Sequence, residues 1–189
     1  MKQILAVQSS IHEQFRSSTI RKLYFSKKDN ADVFAAYDTA MYLIQDTGEA
    51  IYVHMQSDFS EEPMRSYLEF WGIMQAIAIQ QDAVCELYKA VIGKAAQVGE
   101  LEAWQDLREK RNLCAGHPAN RSRGVPAPQR AFLGRMPRYY RQIEYELWDA
   151  ATGRTTHPSF DLRHLIERYD IEASQLLQTV LSEMKRRWP

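Results

Sequence analysis

The residue types most able to do chemistry lie together in one stretch, Leu107-Arg-Glu-Lys-Arg-Asn-Leu-Cys-Ala-Gly-His-Pro118. Arg111 is followed directly by Asn112, and after five intervening residues comes His117. An arginine can hold a phosphate and a histidine can move a proton near neutrality, so the pair can do acid–base work on a phosphodiester without a metal. Gly116 is a natural helix stop, because glycine accepts the left-handed conformation just past the cap. Pro118 reinforces the stop and biases His117 toward extended backbone. On an uninterrupted helix, residues six apart diverge by about 120°; a helix ending at Gly116 lets the imidazole swing back over the last turn. A helix C-terminus also favours a protonated imidazole. The plain structural readings are a histidine capping a terminal carbonyl and an arginine in a salt bridge to a neighbouring helix.

Charge is lopsided around this pair. From Arg108 to Arg141 the chain carries nine basic residues, among them Lys110, Arg121, Arg123, Arg130, Arg135, Arg138 and Arg141, against the single acid Glu109. Tyr139 and Tyr140 lie at the end of the stretch. Arginines beside aromatics suit single-stranded nucleic acid, which offers phosphates and stacking planes; the alternative is a solvated basic loop. The whole chain, by contrast, has 24 basic and 24 acidic residues, so no global field points to a nucleic acid or a membrane.

The elements that must position these residues follow from periodicity. Ile4, Val7, Ile11 and Phe15 share one face of a first helix. Phe25 to Asn30 reads as a polar connection, with Asp29 or Asn30 as N-cap. Ala31 to Met55 reads as a second helix, in which Gly48 can admit a close neighbour. A third helix runs from about Glu62 to Gly93, with Ser60 as its expected N-cap and Pro63 in its first turn. Gln81 falls inside its apolar stripe and needs a hydrogen-bond partner. A fourth runs from about Glu100 to Cys114, with Trp104 and Leu107 inward and charge outward. Residues 118–139, with Pro118, Pro126, Pro128 and Pro137, keep no helical period and read as a basic irregular loop. Residues 140–160 alternate apolar with polar around Ala151-Thr-Gly-Arg154 and read as a β-hairpin. Asp161 to Arg187 reads as the last helix. The expectation is an all-α chain: one domain over 1–189, an antiparallel bundle of about five helices with a small β-hairpin before the last.

Other chemistry is thinly supported. His12, His54, His157 and His164 are scattered, and no paired spacing suggests a metal site or a cofactor. Cys85 and Cys114 fall at apolar positions and read as reduced, packed side chains, which fits a cytoplasmic protein. No window approaches the roughly 20 apolar residues of a membrane span, and the first residues lack a signal-peptide layout.

Arg111-Asn112 followed by His117, late in an amphipathic helix that ends Gly-His-Pro, resembles the signature of the HEPN superfamily. Its members are helical-bundle domains, many of them metal-independent ribonucleases of toxin–antitoxin and other defence systems. Their motif is an Arg, commonly followed by a polar residue, then a His after a short interval. The resemblance implies an endoribonuclease in which His117 is general base or acid for attack of a ribose 2′-hydroxyl on the adjacent phosphate. Arg111 would hold the phosphate, and Asn112 would orient one of the two. It also implies a homodimer in which two motifs face one cleft, with RNA as substrate and an antitoxin or regulatory protein as a further partner. The competing reading is a non-catalytic helical RNA-binding or regulatory module; burial of His117 against its own helix would favour it. A nucleotide or small-anion binder is a third.

Overall fold

The computed structural model describes residues 1–18, 30–122, 125–134 and 140–188. Among these, five α-helices follow in order: α1 (Lys2–Ser17), α2 (Ala31–His54), α3 (Pro63–Ile92), α4 (Glu102–Arg111) and α5 (Leu162–Arg187). A π-helical turn, Asn112–Gly116, extends α4. Four strands precede α5: β1 (Gln129–Leu133), β2 (Ile143–Asp149), β3 (Arg154–Thr156) and β4 (Ser159–Phe160). The architecture is therefore α+β rather than all-α. Among the described residues no helix is long and apolar enough to cross a membrane.

The helices begin and end for identifiable reasons. Pro63 opens α3, but its cap is Glu62, not Ser60. The Glu62 carboxylate reaches two first-turn amides, Met64 N at 3.0 Å and Arg65 N at 2.6 Å, whereas the Ser60 hydroxyl accepts from Glu62 N. Gly93 closes α3 in the left-handed region, at φ 81°. Asp161 caps α5 through His164 N, and Asn30 stands at the N-cap of α2 without a side-chain cap bond; Asp29 and the rest of that connection lie outside the described residues.

Two further helices are capped by α5. Asp170 accepts the amides of Gln3 and Ile4 at 3.1 and 3.0 Å, and Glu172 accepts those of Ala103 and Trp104 at 3.0 and 2.8 Å. Each carboxylate meets the positive end of a helix dipole where amides lack internal partners. The long helix thus fixes the starting points of α1 and α4.

The core is one cluster drawn from all five helices and the sheet, with Trp104, Tyr140, Tyr169 and Phe70 among its largest buried side chains. α1, α2, α3 and α4 run antiparallel in succession, through Gln8–Met41, Gln80–Ile44 and Gln81–Trp104 contacts. α1 and α5 run parallel, since Ile4 meets Asp170 and Gln14 meets Trp188. Gly48 permits the close approach expected of it: a β-carbon there would stand 2.9 Å from Leu5 Cδ2 and 3.2 Å from Gln80 Nε2. Gln81 finds its partner in the Trp104 carbonyl, at 2.9 Å.

The hairpin is part of a larger sheet. β2 pairs antiparallel with β1 over the whole of β1, from Gln129↔Asp149 to Leu133↔Tyr145. On its other side β2 pairs with β3 and β4 in one continuous register, Leu147↔Thr156 through Ile143↔Phe160. Pro158 divides that arm because it has no N–H to donate; its carbonyl still accepts from Tyr145 N at 3.1 Å. The stretch expected to be irregular over 118–139 therefore supplies a strand. A short strand with weak alternation depends on its partner, here β2, more than on its own pattern.

Tyr140 ties the sheet to the bundle. Its buried hydroxyl lies 2.6 Å from His54 Nδ1, and His54 Nε2 lies 3.6 Å from Glu69 Oε2. The carboxylate favours a proton on Nε2, so Nδ1 accepts from the phenol. Burial pushes the phenol up and keeps it protonated. The Tyr140 ring stacks on Phe59 at 4.6 Å, and its carbonyl accepts from Leu162 N at 2.8 Å at the start of α5. Tyr140→Phe should keep the ring packing and lose the hydroxyl bond, costing about 1 kcal/mol. A circular-dichroism melt should show a fall of about 2–4 °C; an unchanged midpoint would mean the bond contributes nothing.

Candidate functional site

The three–four continuation of Trp104 and Leu107 along α4 falls on Arg111, so a cation occupies a slot that faces the bundle. The helix does not stop there. It widens, and His117 N donates to Asn112 O at 2.8 Å, five residues back. Leu113 and Cys114 are both buried and anchor the turn in the core. Burial pushes the Cys114 thiol up to about 12, which keeps it protonated and inert.

Gly116 does not have the left-handed conformation expected of a helix stop; among the described residues Gly93 and Gly153 are the glycines with positive φ. Its missing side chain serves another purpose. A β-carbon at Gly116 would stand 2.7 Å from Arg111 Nη1 and 3.2 Å from Cζ. The guanidinium therefore lies directly on Gly116, the residue before His117. The arginine reaches forward over the turn, where the sequence suggested an imidazole swinging back.

Two amides hold that guanidinium. Nη1 donates to Asn112 Oδ1 at 3.1 Å and Nη2 to Gln75 Oε1 of α3 at 2.9 Å. Nε is buried and has no partner. Among the described residues no carboxylate pairs with Arg111, so the interhelical salt bridge is not what this side chain forms.

Beyond the turn, Pro118 sits second in a tight turn in which Asn120 N donates to His117 O at 3.2 Å. The chain then runs along β1: Ala131 N donates to Pro118 O at 2.8 Å, and Arg121 exchanges both backbone bonds with Gln129. The sheet thus holds the exit of the Arg–His segment. His117 is exposed, and among the described residues its imidazole caps no terminal carbonyl; only its backbone N–H closes the turn. It opens on a cleft of about 610 Å³ lined by Asn112, His117, Asn120, Arg121 and Ser122. Asn112 faces both ways, accepting from Arg111 while lining the cleft.

The remaining basic residues are dispersed. Arg121 lines the cleft but its guanidinium is 3.3 Å from Glu109 and 3.4 Å from Gln129 Oε1. Lys110 is turned to the sheet, its ammonium 5.6 Å from the centres of the Tyr145 and Phe160 rings. Arg130 covers Trp148 at 4.9 Å on the outer face of the sheet. Arg141 lines a separate cleft with Asp58, Gln142 and Arg163. Along β2 it is eight residues from the Gln129↔Asp149 pair, roughly 26 Å at strand spacing. Arg123, Arg135, Arg138 and Tyr139 lie outside the described residues.

Sequence reasoning did not single out Asn120 and Ser122 as parts of the cleft, nor Gln75 as a ligand of Arg111. His54, Glu69 and Tyr140 form a second polar cluster from three distant parts of the chain. Among the described residues no group of three or more His, Cys, Asp or Glu side chains could hold a metal ion. No family model, curated protein or solved structure matches the chain.

Gly116→Ala should leave the fold intact, because alanine suits a helical backbone and can add up to about 1 kcal/mol there. The added methyl should displace the guanidinium from Gly116 and break its bond to Gln75. A crystal structure of the variant checks this, and an unmoved Arg111 contradicts it.

Proposed function

We propose that this chain is a metal-independent endoribonuclease of the HEPN type. The observation that carries the reading is the seat of the Arg111 guanidinium on Gly116, one residue before an exposed His117 that opens on a cleft. In this reading His117 takes the proton from a ribose 2′-hydroxyl. The 2′-oxygen attacks the adjacent phosphorus, the bond to the 5′-oxygen breaks, and that oxygen leaves with a proton. The products are a 2′,3′-cyclic phosphate and a 5′-hydroxyl end.

Arg111 offsets the charge that builds on the phosphoryl oxygens. A guanidinium has five N–H donors; with one used on Asn112 and one on Gln75, donors remain on Nη1 and Nη2 for phosphate. Asn112 fixes the guanidinium through its oxygen and also lines the cleft. Arg121 is a rim cation whose charge is shared with Glu109. A homodimer that brings two such clefts together across a two-fold axis would supply a second imidazole to protonate the leaving group. A role as a toxin or in phage defence, restrained by an antitoxin, belongs to the same proposal.

The exposure of His117 favours this reading over a non-catalytic RNA-binding module, in which the imidazole would be spent on its own helix. His117→Ala should reduce cleavage of single-stranded RNA by at least about 10²-fold with an unchanged melting midpoint. Wild-type cleavage should persist in chelator and stop when the 2′-hydroxyl at the scissile position is removed. RNA cut at the wild-type rate by the variant, or only with a divalent ion, sinks the proposal; RNA bound but never cut selects the module.

A further inference from the structure

Two arginines of α4 cross the seam to α3. Arg108 Nη2 donates to Asp82 Oδ1 at 2.6 Å, and Arg111 Nη2 donates to Gln75 Oε1 at 2.9 Å. Asp82 and Gln75 are two helical turns apart and share one face of α3. The geometry is repeated; the chemistry is not. At 82 a carboxylate cancels the arginine's charge. At 75 an amide accepts the same kind of bond and cancels nothing. The second partner of Arg111, Asn112 Oδ1, is also an amide. A carboxylate at 75 would make the stronger, charge-assisted bond, yet the position carries glutamine.

We propose that Gln75 is a positioning residue: it fixes the Arg111 guanidinium over Gly116 while leaving its charge uncancelled for an RNA phosphate. The inference rests on the ribonuclease reading of this site for its substrate, but not for its test. Glutamate and glutamine are nearly the same shape, so exchanging them changes charge with little change in packing.

The experiment compares full-length wild type, Gln75→Glu and Gln75→Ala. Each is assayed for cleavage of a single-stranded RNA and, separately, for binding of a fluorescent 2′-deoxy oligonucleotide of the same sequence over a range of salt. Gln75→Glu should keep or raise the melting midpoint, as a merely structural role would also predict. It should nevertheless weaken oligonucleotide binding and flatten the slope of log K against log salt by about 0.7, one phosphate contact on a single strand. Gln75→Ala leaves the cation but not its orientation, so it should keep the salt slope and lose about tenfold or more in kcat. A glutamate variant that binds with the wild-type affinity and slope overturns the proposal. If the wild type cuts no RNA, the ribonuclease reading has failed, while the oligonucleotide slopes still decide the role of Gln75.

Discussion

The site depends on one constraint: a positive charge standing in a slot that faces the bundle. Half-burying a guanidinium is costly unless some of its N–H groups find acceptors. The chain supplies Gln75 from α3 and Asn112 from the turn itself. The reach to both is possible because Gly116 has no side chain. The widened turn, the glycine and the glutamine are therefore parts of one arrangement, and the exposed imidazole follows from it: with the arginine turned inward, the next residue after Gly116 is left at the surface.

The surroundings hold that arrangement from both sides. On one side α5 sets where α4 begins, through Glu172, and pairs Arg168 with Glu102 at 2.6 Å. On the other side β1 and the ribbon from Pro118 to Arg121 hold the exit. Lys110 adds a lateral tether between α4 and the sheet. Tyr140 then joins the sheet to α2, to Phe59 in the connection before α3, and to the first turn of α5 in a single residue. The Arg–His segment is short, yet its two ends are pinned by elements far apart in sequence.

The helices were readable because their apolar residues recur at helical spacing over many turns, and α2, α3 and α5 begin and end within a residue or two of expectation. Several features that went unread depend on a distant partner. β1 needs β2, and the Asp170 and Glu172 caps need helices that start more than sixty residues away. Glu62 displaced Ser60 as a cap because a longer carboxylate reaches two amides at once. Of the candidate site, Arg111, Asn112 and His117 stood out by type and spacing; Arg111 bonds Asn112 and lies over Gly116, the residue before His117. The inward slot of Arg111 was also present in the pattern, as the next position after Trp104 and Leu107, but a charged residue there reads as surface until the structure shows its amide partners. Gln75 carried only the weaker signal of a polar residue on a long helix.

The widened turn has a consequence for chain length. Its five-residue closure holds one residue more than an α-helical turn. Removing any single residue between Asn112 and Gly116 would let ordinary four-residue bonding resume, and everything downstream would rotate by about 100° about the helix axis. The imidazole would leave the mouth of the cleft, and the ribbon would lose its register with β1. The segment thus acts as a gauge: the number of its residues sets where the imidazole and the ribbon stand.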